Sequence, residues 1–274
     1  MLWLIQNAKF KEHGVEAIHQ YIIEKGIDYK LVKTPAFTDV IVDGDVDFTE
    51  FKDDINLIPQ LEIDNDKQVM TIGSYSLAKA AVKRGWTPGA FINENFEFSK
   101  WLAGWGEHNL LNGKAIESTI RNTKVPEDWD KLFARPSEDT KFFSGSVFER
   151  SNFIFWLNQI IENGEDADSE TEIIIAPLVE INAEYRLFVV DGVIVTGSLY
   201  KLKDKVIYSP FIDEDALEFA KKMLSIWQPD RAFVLDIALT PNGAKIIEVN
   251  NINSSGLYAI DIPAFVDAIE NMKF

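Results

Sequence analysis

Two apolar segments joined by a turn sequence near the carboxyl end constrain this chain more than any other feature. Asp236 lies within the run FVLDIAL, and Glu248 and Asn250 lie within the run IIEVN. Because the turn signal Pro241-Asn242-Gly243 stands between the two runs, the segment is predicted to form a β-hairpin. Side chains alternate along a strand, so Glu248 and Asn250 share one face. A register centred on Asn242-Gly243 brings Asp236 opposite that pair.

Two carboxylates and an amide oxygen on one strand face indicate a divalent-cation site. Mg²⁺ prefers hard oxygen ligands and usually takes only one or two carboxylates, completing its octahedron with water and substrate phosphate. The alternative is that these acids are simply solvated, as acids in edge hairpins usually are. Asp and Glu are, however, rarely placed inside apolar strands without a compensating cation or hydrogen-bonded partner. We therefore predict a magnesium-nucleotide site at Asp236, Glu248 and Asn250, called the metal triad below.

Composition narrows the class of protein. The chain has 274 residues, of which 46% are hydrophobic, enough for one large or two modest domains with a substantial core. The net charge of −17 argues against duplex nucleic acid or an anionic membrane as the main partner, because both demand a basic surface. The absence of cysteine excludes disulfides, thiolate zinc sites and a cysteine nucleophile. With no apolar run long enough to span a membrane, we expect a cytoplasmic protein.

The order of predicted elements divides the chain into two halves of different texture. The amino-terminal part alternates strands and helices in a βαβ pattern, whereas the carboxyl-terminal half reads as α+β. The stretch 93–113 has aromatic residues but no clean period, so we interpret it as connection and packing. The predicted strands are 2–5, 29–32, 69–72, 131–135, 172–176, 185–190 and 193–197, and the predicted helices include 77–82, 215–227 and 262–272.

Four motifs occur along the carboxyl-terminal half in a fixed order. They are FARPSEDTKFFSGSVF, EYRLFVVDG, VLDIALTPNGAKIIEVN and SSGLYAID. In type and order they resemble the ATP-grasp superfamily, and more narrowly its clade named for one arginine and two lysines, common in bacteriophage genomes. The resemblance covers most of residues 120–265. It implies an α/β ATP-grasp fold of two α+β lobes, roughly 111–183 and 184–274, preceded by an α/β pre-ATP-grasp domain at 1–110.

The resemblance also implies roles for the basic residues. Arg135 and Arg186 would contact phosphate or the acyl substrate, and Lys141 would lie in the loop that covers the phosphates. The second lysine of the clade would be Lys201 or Lys203, in preference to Lys114. The alternative for the arginines is pairing with the excess acid of this chain, and for Lys141 it is a solvated loop cation.

The nucleotide would be held by two further sets of residues. The metal triad would bind two Mg²⁺ ions, with Mn²⁺ as an alternative, that bridge the phosphates of ATP. Glu184 would accept hydrogen bonds from the ribose hydroxyls. The adenine would bond to a hinge formed by Ala176, Pro177, Leu178, Val179 and Glu180.

The chemistry implied by the resemblance joins a carboxylate to an amine through an acylphosphate, releasing ADP and phosphate. The substrates would be amino acids, peptides or small metabolites. A small-molecule kinase and a nucleotide-binding protein without catalysis are the alternatives. The sequence leaves open the substrate pair and the oligomeric state, including a homodimer.

Overall fold

The computed structural model describes residues 1–7, 13–35, 38–44, 46–51, 54–64, 66–136, 145–163 and 166–274. The chain divides into two compact units. Unit 1 consists of Met1–Trp105 and Asn182–Phe274, and unit 2 consists of Gly106–Ile181. In the described ranges, no helix has both the length and the apolar character needed to cross a bilayer.

The amino-terminal part of unit 1 is a five-stranded sheet with strand order β3-β2-β1-β4-β5. Strands β2 and β4 run parallel to the central β1, β5 runs parallel to β4, and only β3 is antiparallel to its neighbour. Its strands are β1 (Leu2–Gln6), β2 (Tyr29–Lys33), β3 (Val42–Asp43), β4 (Val69–Ile72) and β5 (Pro88–Gly89), and its helices are α1 (His13–Lys25) and α2 (Tyr75–Lys83). This confirms the predicted βαβ opening.

The apolar runs of this sheet are buried on both faces, as is typical of parallel strands covered by helices. Trp3 and Ile5 of β1 face one apolar cluster, which contains Ile18 and Ile22 of α1. Leu4 faces a second cluster on the other side of the sheet. Helix α1 stops at Lys25 because Gly26 adopts φ 66°, a left-handed conformation that ends helices.

The aromatic stretch before unit 2 contains a helix that its sequence pattern did not predict. Helix α3 (Phe98–Trp105) buries Trp101 and Trp105 on one side. The indole Nε1 of Trp105 donates to the carbonyl oxygen of Met223 at 3.0 Å, and its ring lies edge-on to Trp227 at 4.8 Å. The packing role predicted for this segment is confirmed, but its conformation is helical because tertiary contacts outweigh the weak local pattern.

Unit 2 is a four-stranded sheet with strand order β6-β9-β7-β8. Leu132 and Ala134 of β7 pack with Phe153 of the following helix in a separate apolar cluster. That helix begins at Arg150, so Ser151 lies inside it rather than capping it as its sequence suggests. The elements are β6 (Ile116–Thr119), β7 (Lys131–Pro136), β8 (Ser146–Glu149), α4 (Arg150–Asn163), α5 (Asp166–Ser169) and β9 (Glu172–Pro177).

The carboxyl-terminal part of unit 1 is a second five-stranded sheet, antiparallel throughout, with strand order β12-β11-β10-β13-β14. Its strands are β10 (Ala183–Val190), β11 (Val193–Leu202), β12 (Lys205–Ser209), β13 (Ala232–Thr240) and β14 (Gly243–Asn250), and its helices are α6 (Glu214–Ile226) and α7 (Ile262–Glu270). Helix α6 contacts β13 and β14.

Both sheets of unit 1 share one apolar core. Phe188 of β10 and Val234 of β13 belong to the same cluster as Trp3 of β1 and Phe265 of α7. Phe265 lies edge-on to Trp3 at 6.5 Å and to Phe188 at 5.4 Å. Unit 1 is therefore assembled from the first and last parts of the chain.

Candidate active site

The predicted β-hairpin is present, and an irregularity within it determines which residues face each other. Thr240 pairs with Gly243, and Ile237 pairs with Ile246. Regular continuation would place Ile247 opposite Asp236, but the register shifts there and Asp236 pairs with Glu248 instead. The turn lies one residue earlier than its predicted centre, and the extra residue of the bulge compensates for that difference.

Paired residues on neighbouring antiparallel strands share one face of the sheet. Arg186 of β10 pairs with Asp236 of β13 on one side and with Ser198 of β11 on the other. Because Asp236 also pairs with Glu248, a row of four polar residues crosses the sheet from β11 to β14. Asn250 lies two residues beyond Glu248 and hence on the same face. The sheet therefore brings the whole metal triad together.

Arg186 and Asp236 form a buried, two-pronged ion pair. The Arg186 Nε donates to Asp236 Oδ1 at 2.9 Å, and Nη2 donates to Oδ2 at 2.7 Å. Arg186 is 8% exposed and Asp236 is fully buried. The second amino nitrogen of Arg186, Nη1, donates to the carbonyl oxygen of Gly256 at 3.4 Å. Burial of both charges makes each dependent on the other, since an unpaired charge here would lack water.

Electrostatic effects in this pair oppose one another. Burial raises the pKa of the Asp236 carboxyl above its ordinary value, and neighbouring Glu248 adds to the rise, whereas Arg186 lowers it. Burial disfavours the charge of Arg186, but the hydrogen bond to Asp236 outweighs that effect and raises the pKa of the guanidinium. The carboxylate form of Asp236 thus depends on the cation beside it.

The metal triad offers oxygen donors of graded accessibility. The Glu248 side chain is 46% exposed, and its Oε1 lies 3.6 Å from Arg186 Nη2. The Asn250 amide nitrogen donates to the same Oε1 at 2.8 Å, which fixes the two side chains relative to each other. A carboxylate has about four lone-pair sites, so the bonds to Arg186 leave acceptor capacity on Asp236. The donor set fits a hard cation such as Mg²⁺.

The triad contains only two acids, which limits what the protein alone can coordinate. In the part of the chain that the structure describes, no group of three or more His, Cys, Asp or Glu residues is arranged to hold a metal ion. A cation at the triad would need additional oxygen ligands from water or substrate, the usual situation for Mg²⁺.

Glu184 and the two candidate lysines are separated by the structure. Lys201 pairs with Glu184 across β10 and β11, and its Nζ lies 2.6 Å from Glu184 Oε1. Tyr200, the extra residue of a register shift in β11, donates its hydroxyl to Glu184 Oε2 at 2.8 Å. Lys203 lies exposed between β11 and β12 with φ 52°. Lys201 is therefore the one of the pair that lies within the polar face of the sheet.

Tyrosines complete the site, and sequence reasoning did not assign them a role. The rings of Tyr200 and Tyr258 lie over the Arg186 guanidinium, with centroids 5.6 and 4.9 Å away. Burial, the acids Asp236 and Glu184, and the hydrogen bond to Glu184 raise the pKa of Tyr200, so its hydroxyl stays protonated and donates. Tyr258 belongs to the motif SSGLYAID, which was the only signal for it in the sequence.

Unit 2 carries the other predicted nucleotide contacts. Arg135 on β7 pairs with Ile174 on β9, and Phe133 pairs with Ala176. These four side chains share the sheet face opposite the one that packs against α4, since Leu132 and Ala134 belong to that core. Arg135 is half-buried, and its Nη1 donates to the carbonyl oxygen of Pro136 at 3.3 Å.

The predicted hinge spans the end of β9 and the residues after it. Ala176 is fully buried and Pro177 ends the strand, while Leu178, Val179 and Glu180 continue beyond it with partial or full exposure. The amide of Leu178 donates to the carbonyl oxygen of Lys131 at 3.3 Å. Lys141 lies outside the described residues.

Comparison with known proteins identifies the family. A model for the ATP-grasp domain matches residues 46–269, and it describes family 3 of the clade named for one arginine and two lysines. No curated protein sequence matches the chain.

Solved structures with the same fold are distant in sequence. D-cycloserine synthetase DcsG is 13% identical, with a TM-score of 0.60 over 98% of both chains. D-alanine–D-alanine ligase from Bacillus anthracis, solved with ATP, is 15% identical, with a TM-score of 0.52 over 98% of this chain and 91% of that one. Macrocyclase MdnC from Microcystis aeruginosa MRC, bound to precursor peptide MdnA, is 13% identical, with a TM-score of 0.54 over 91% of both chains. The chain has the ATP-grasp fold preceded by an α/β domain, and it belongs to family 3 of this arginine-and-two-lysine clade of ATP-grasp domains.

Proposed function

We propose that this protein is an ATP-dependent carboxylate–amine ligase that works through an acylphosphate. The observation that carries the proposal is the polar row across the second sheet of unit 1, where the buried Arg186–Asp236 pair adjoins the half-exposed Glu248. A fully buried acid beside an accessible one, on a face with an arginine and a lysine, is suited to hold cations and phosphate oxygens. Family membership supports the same interpretation.

The metal triad would hold Mg²⁺, with Mn²⁺ as an alternative, and the cation would neutralise charge on the phosphates. Asp236 and Glu248 face each other across β13 and β14, and Asn250 is tied to Glu248 by its amide. Because these three residues are too few to complete one octahedron, water and phosphate oxygens would supply the remaining positions. Two ions, as the resemblance implies, would share the two carboxylates.

Nucleotide binding would use both lobes of the ATP-grasp domain, which we interpret as residues 111–183 and 184–274 after an amino-terminal domain at 1–110. Arg135 would contact phosphate, for which its planar fork is suited, and Lys141 would add a second cation. The adenine would bond to backbone groups of residues 176–180. Glu184 already accepts from Tyr200 and Lys201. Any contact of Glu184 with ribose would therefore have to share its oxygens with those donors.

The reaction would proceed in two balanced steps. A carboxylate oxygen of the first substrate attacks the γ-phosphorus, and the bond to the β-phosphate oxygen breaks to release ADP. The amine of the second substrate then attacks the acyl carbon, phosphate leaves with the electrons of the broken bond, and the amine loses a proton. Arg186, Arg135, Lys141 and Lys201 would position the reacting groups and balance the negative charge.

The substrate class is drawn from the neighbouring structures. One is named a synthetase of D-cycloserine, one is named a D-alanine–D-alanine ligase, and one is a macrocyclase bound to a precursor peptide. We propose that the substrates here are likewise amino acids or peptides, and that the protein acts in the cytoplasm.

A screen of ADP release tests the proposal. The protein is incubated with Mg-ATP and with amino acids and short peptides, singly and in pairs, while ATP binding is measured separately by calorimetry. A ligase gives ADP only when both an acyl donor and an amine are present. ADP formation with one substrate would indicate a kinase, and ATP binding without turnover in any pair would indicate a nucleotide-binding protein.

A matched pair of variants connects any activity to the site. Glu248→Gln removes a ligand charge with little change in shape and should abolish turnover, a loss on the order of a hundredfold or more. Glu218→Gln makes the same change on the exposed surface of α6, where Glu218 pairs with Lys221. It should leave turnover unchanged. Equal activity of the two variants would reject the metal triad.

A further inference from the structure

Tyr258 has an unusual backbone conformation. Among the described residues other than glycine, only Asp191, Lys203 and Tyr258 have φ in the left-handed region. Asp191 lies in the turn between β10 and β11, and Lys203 lies in the turn between β11 and β12, where positive φ is common. Tyr258, with φ 48°, lies in neither hairpin, and an aromatic residue at positive φ is a genuine outlier. Such outliers persist only where the surrounding structure holds them in place.

The residues on either side of Tyr258 supply that constraint. Leu257 is 2% exposed and belongs to the core of unit 1. It packs so closely on Gly14 that a Cβ at position 14 would come within 2.5 Å of the Leu257 Cβ. The amide of Ile260 donates to the carbonyl oxygen of Leu257 at 3.2 Å, which closes a turn around Tyr258. The anchored turn directs the Tyr258 ring onto Arg186.

The contacts of the ring explain what this conformation achieves. The Arg186 guanidinium carbon lies 4.9 Å from the Tyr258 ring centroid, within the range of cation–π attraction. Tyr200 stacks on Tyr258 at 5.3 Å, and Tyr208 stacks at 4.9 Å with an interplanar angle of 10°. Gly256 permits the approach, because a Cβ there would lie 3.0 Å from the Tyr258 ring and 3.4 Å from Arg186 Nη1.

Arg186 is consequently held on several sides. Asp236 accepts two hydrogen bonds from it, the carbonyl of Gly256 accepts a third, and aromatic rings cover the guanidinium. Long side chains lose much of their rotamer freedom in such an arrangement, so the orientation of the Asp236 carboxylate is fixed through Arg186.

We propose that Tyr258 is a positioning residue that fixes Arg186 against Asp236 and so presets the metal triad for the magnesium nucleotide. This inference rests on the proposed function for its consequence at the nucleotide, but the positioning of Arg186 is a property of the free protein. Tyr258 itself touches the guanidinium rather than any reacting atom, and its effect is transmitted through Asp236.

Three variants test the role of the ring. Tyr258→Phe keeps the ring and should bind Mg-ATP within about threefold of the wild type. Tyr258→Asn removes the ring but suits the left-handed backbone, because asparagine tolerates positive φ. It should weaken Mg-ATP binding by about tenfold or more, while the melting temperature falls by no more than a few degrees. Tyr208→Asn is the matched control: among the described rings, those over Arg186 belong to Tyr200 and Tyr258. It should bind Mg-ATP like the wild type.

Two measurements separate failure of this inference from failure of the proposed function. Calorimetry gives the dissociation constant of Mg-ATP, and ¹H–¹⁵N NMR of the arginine Nε–H groups reports directly on Arg186 without nucleotide. We expect a protected Arg186 signal in the wild type and Tyr258→Phe that broadens or exchanges rapidly in Tyr258→Asn. An unchanged signal in Tyr258→Asn, or equal weakening by Tyr208→Asn, would overturn the inference. A wild type that retains the protected signal but binds no Mg-ATP would instead overturn the proposed function.

Discussion

Breaking the Arg186–Asp236 pair from one side should destabilise unit 1 strongly. Arg186→Met keeps a side chain of similar length but leaves the fully buried Asp236 without its cation. Removing one partner of a buried ion pair typically costs about 3–5 kcal/mol, because the other charge stays desolvated. For a unit of this size, that loss corresponds to a fall in melting temperature of roughly 6–20 °C.

The exposed surface offers a matched control for this change. Arg231 contacts Asp191 with the same two-pronged geometry, at 2.7 and 2.9 Å, but both side chains are nearly half exposed. Exposed ion pairs contribute about 0–1 kcal/mol, so Arg231→Met should be close to neutral. The difference between the two variants therefore isolates the effect of burial on otherwise similar pairs.

The cost of Arg186→Met should depend on pH in a defined direction. Burial already raises the pKa of Asp236, and removal of Arg186 takes away the group that lowers it. A carboxyl whose pKa is higher in the folded than in the unfolded state loses stability as pH rises between those two values, by at most about 1.4 kcal/mol per pH unit. The variant should thus be nearer to the wild type at about pH 5 than at about pH 8.

Urea unfolding followed by tryptophan fluorescence measures these differences at both pH values. The double variant Arg186→Met with Asp236→Leu removes both charges and should regain most of the lost stability, since an apolar pair of similar volume is tolerated in such positions. The reasoning is refuted if Arg186→Met costs no more than Arg231→Met at the higher pH, or if the double variant is less stable than the single one.

Two further variants probe other parts of the molecule. Asn253→Ala should cost about 2–3 kcal/mol in urea unfolding, because the buried amide accepts from Phe91 N at 2.9 Å and donates to Thr71 O at 2.8 Å, and its loss strands both groups; a cost below about 1 kcal/mol would count against this. Arg135→Lys should lower ADP release about tenfold, as expected for loss of a two-pronged phosphate contact. Its melting temperature should not change, and wild-type kinetics would assign Arg135 to the surface.

The hairpin could be predicted from sequence because its signals are local. A turn sequence between two apolar runs determines a hairpin, and alternation places Glu248 and Asn250 on one face. The bulge at Ile247 could not be read in the same way, because the skipped residue looks like any other apolar strand position. Here the correct grouping of the metal triad resulted from a turn and a bulge whose one-residue effects cancel.

The tyrosines over Arg186 lay beyond sequence reasoning for a different reason. Tyr200 and Tyr258 come from a strand and a loop that are far apart in the chain, and they meet at Arg186 only through the strand order of the second sheet. Helix α3 was missed because its pattern is interrupted by glycine and its stability comes from burial of Trp101 and Trp105. In each case, long-range packing supplied what local propensity lacked.

The shared core of unit 1 has a practical consequence for anyone wishing to work with a shortened protein. The family match begins at residue 46, after β1, α1 and β2. A fragment trimmed to that boundary would retain the metal triad and Tyr258 but lose Trp3, against which Phe265 packs. The stripped apolar surface of α7 would then face water and favour aggregation. The segment recognised by homology is thus smaller than the segment that must fold, and biochemical assays require the amino-terminal strands as well.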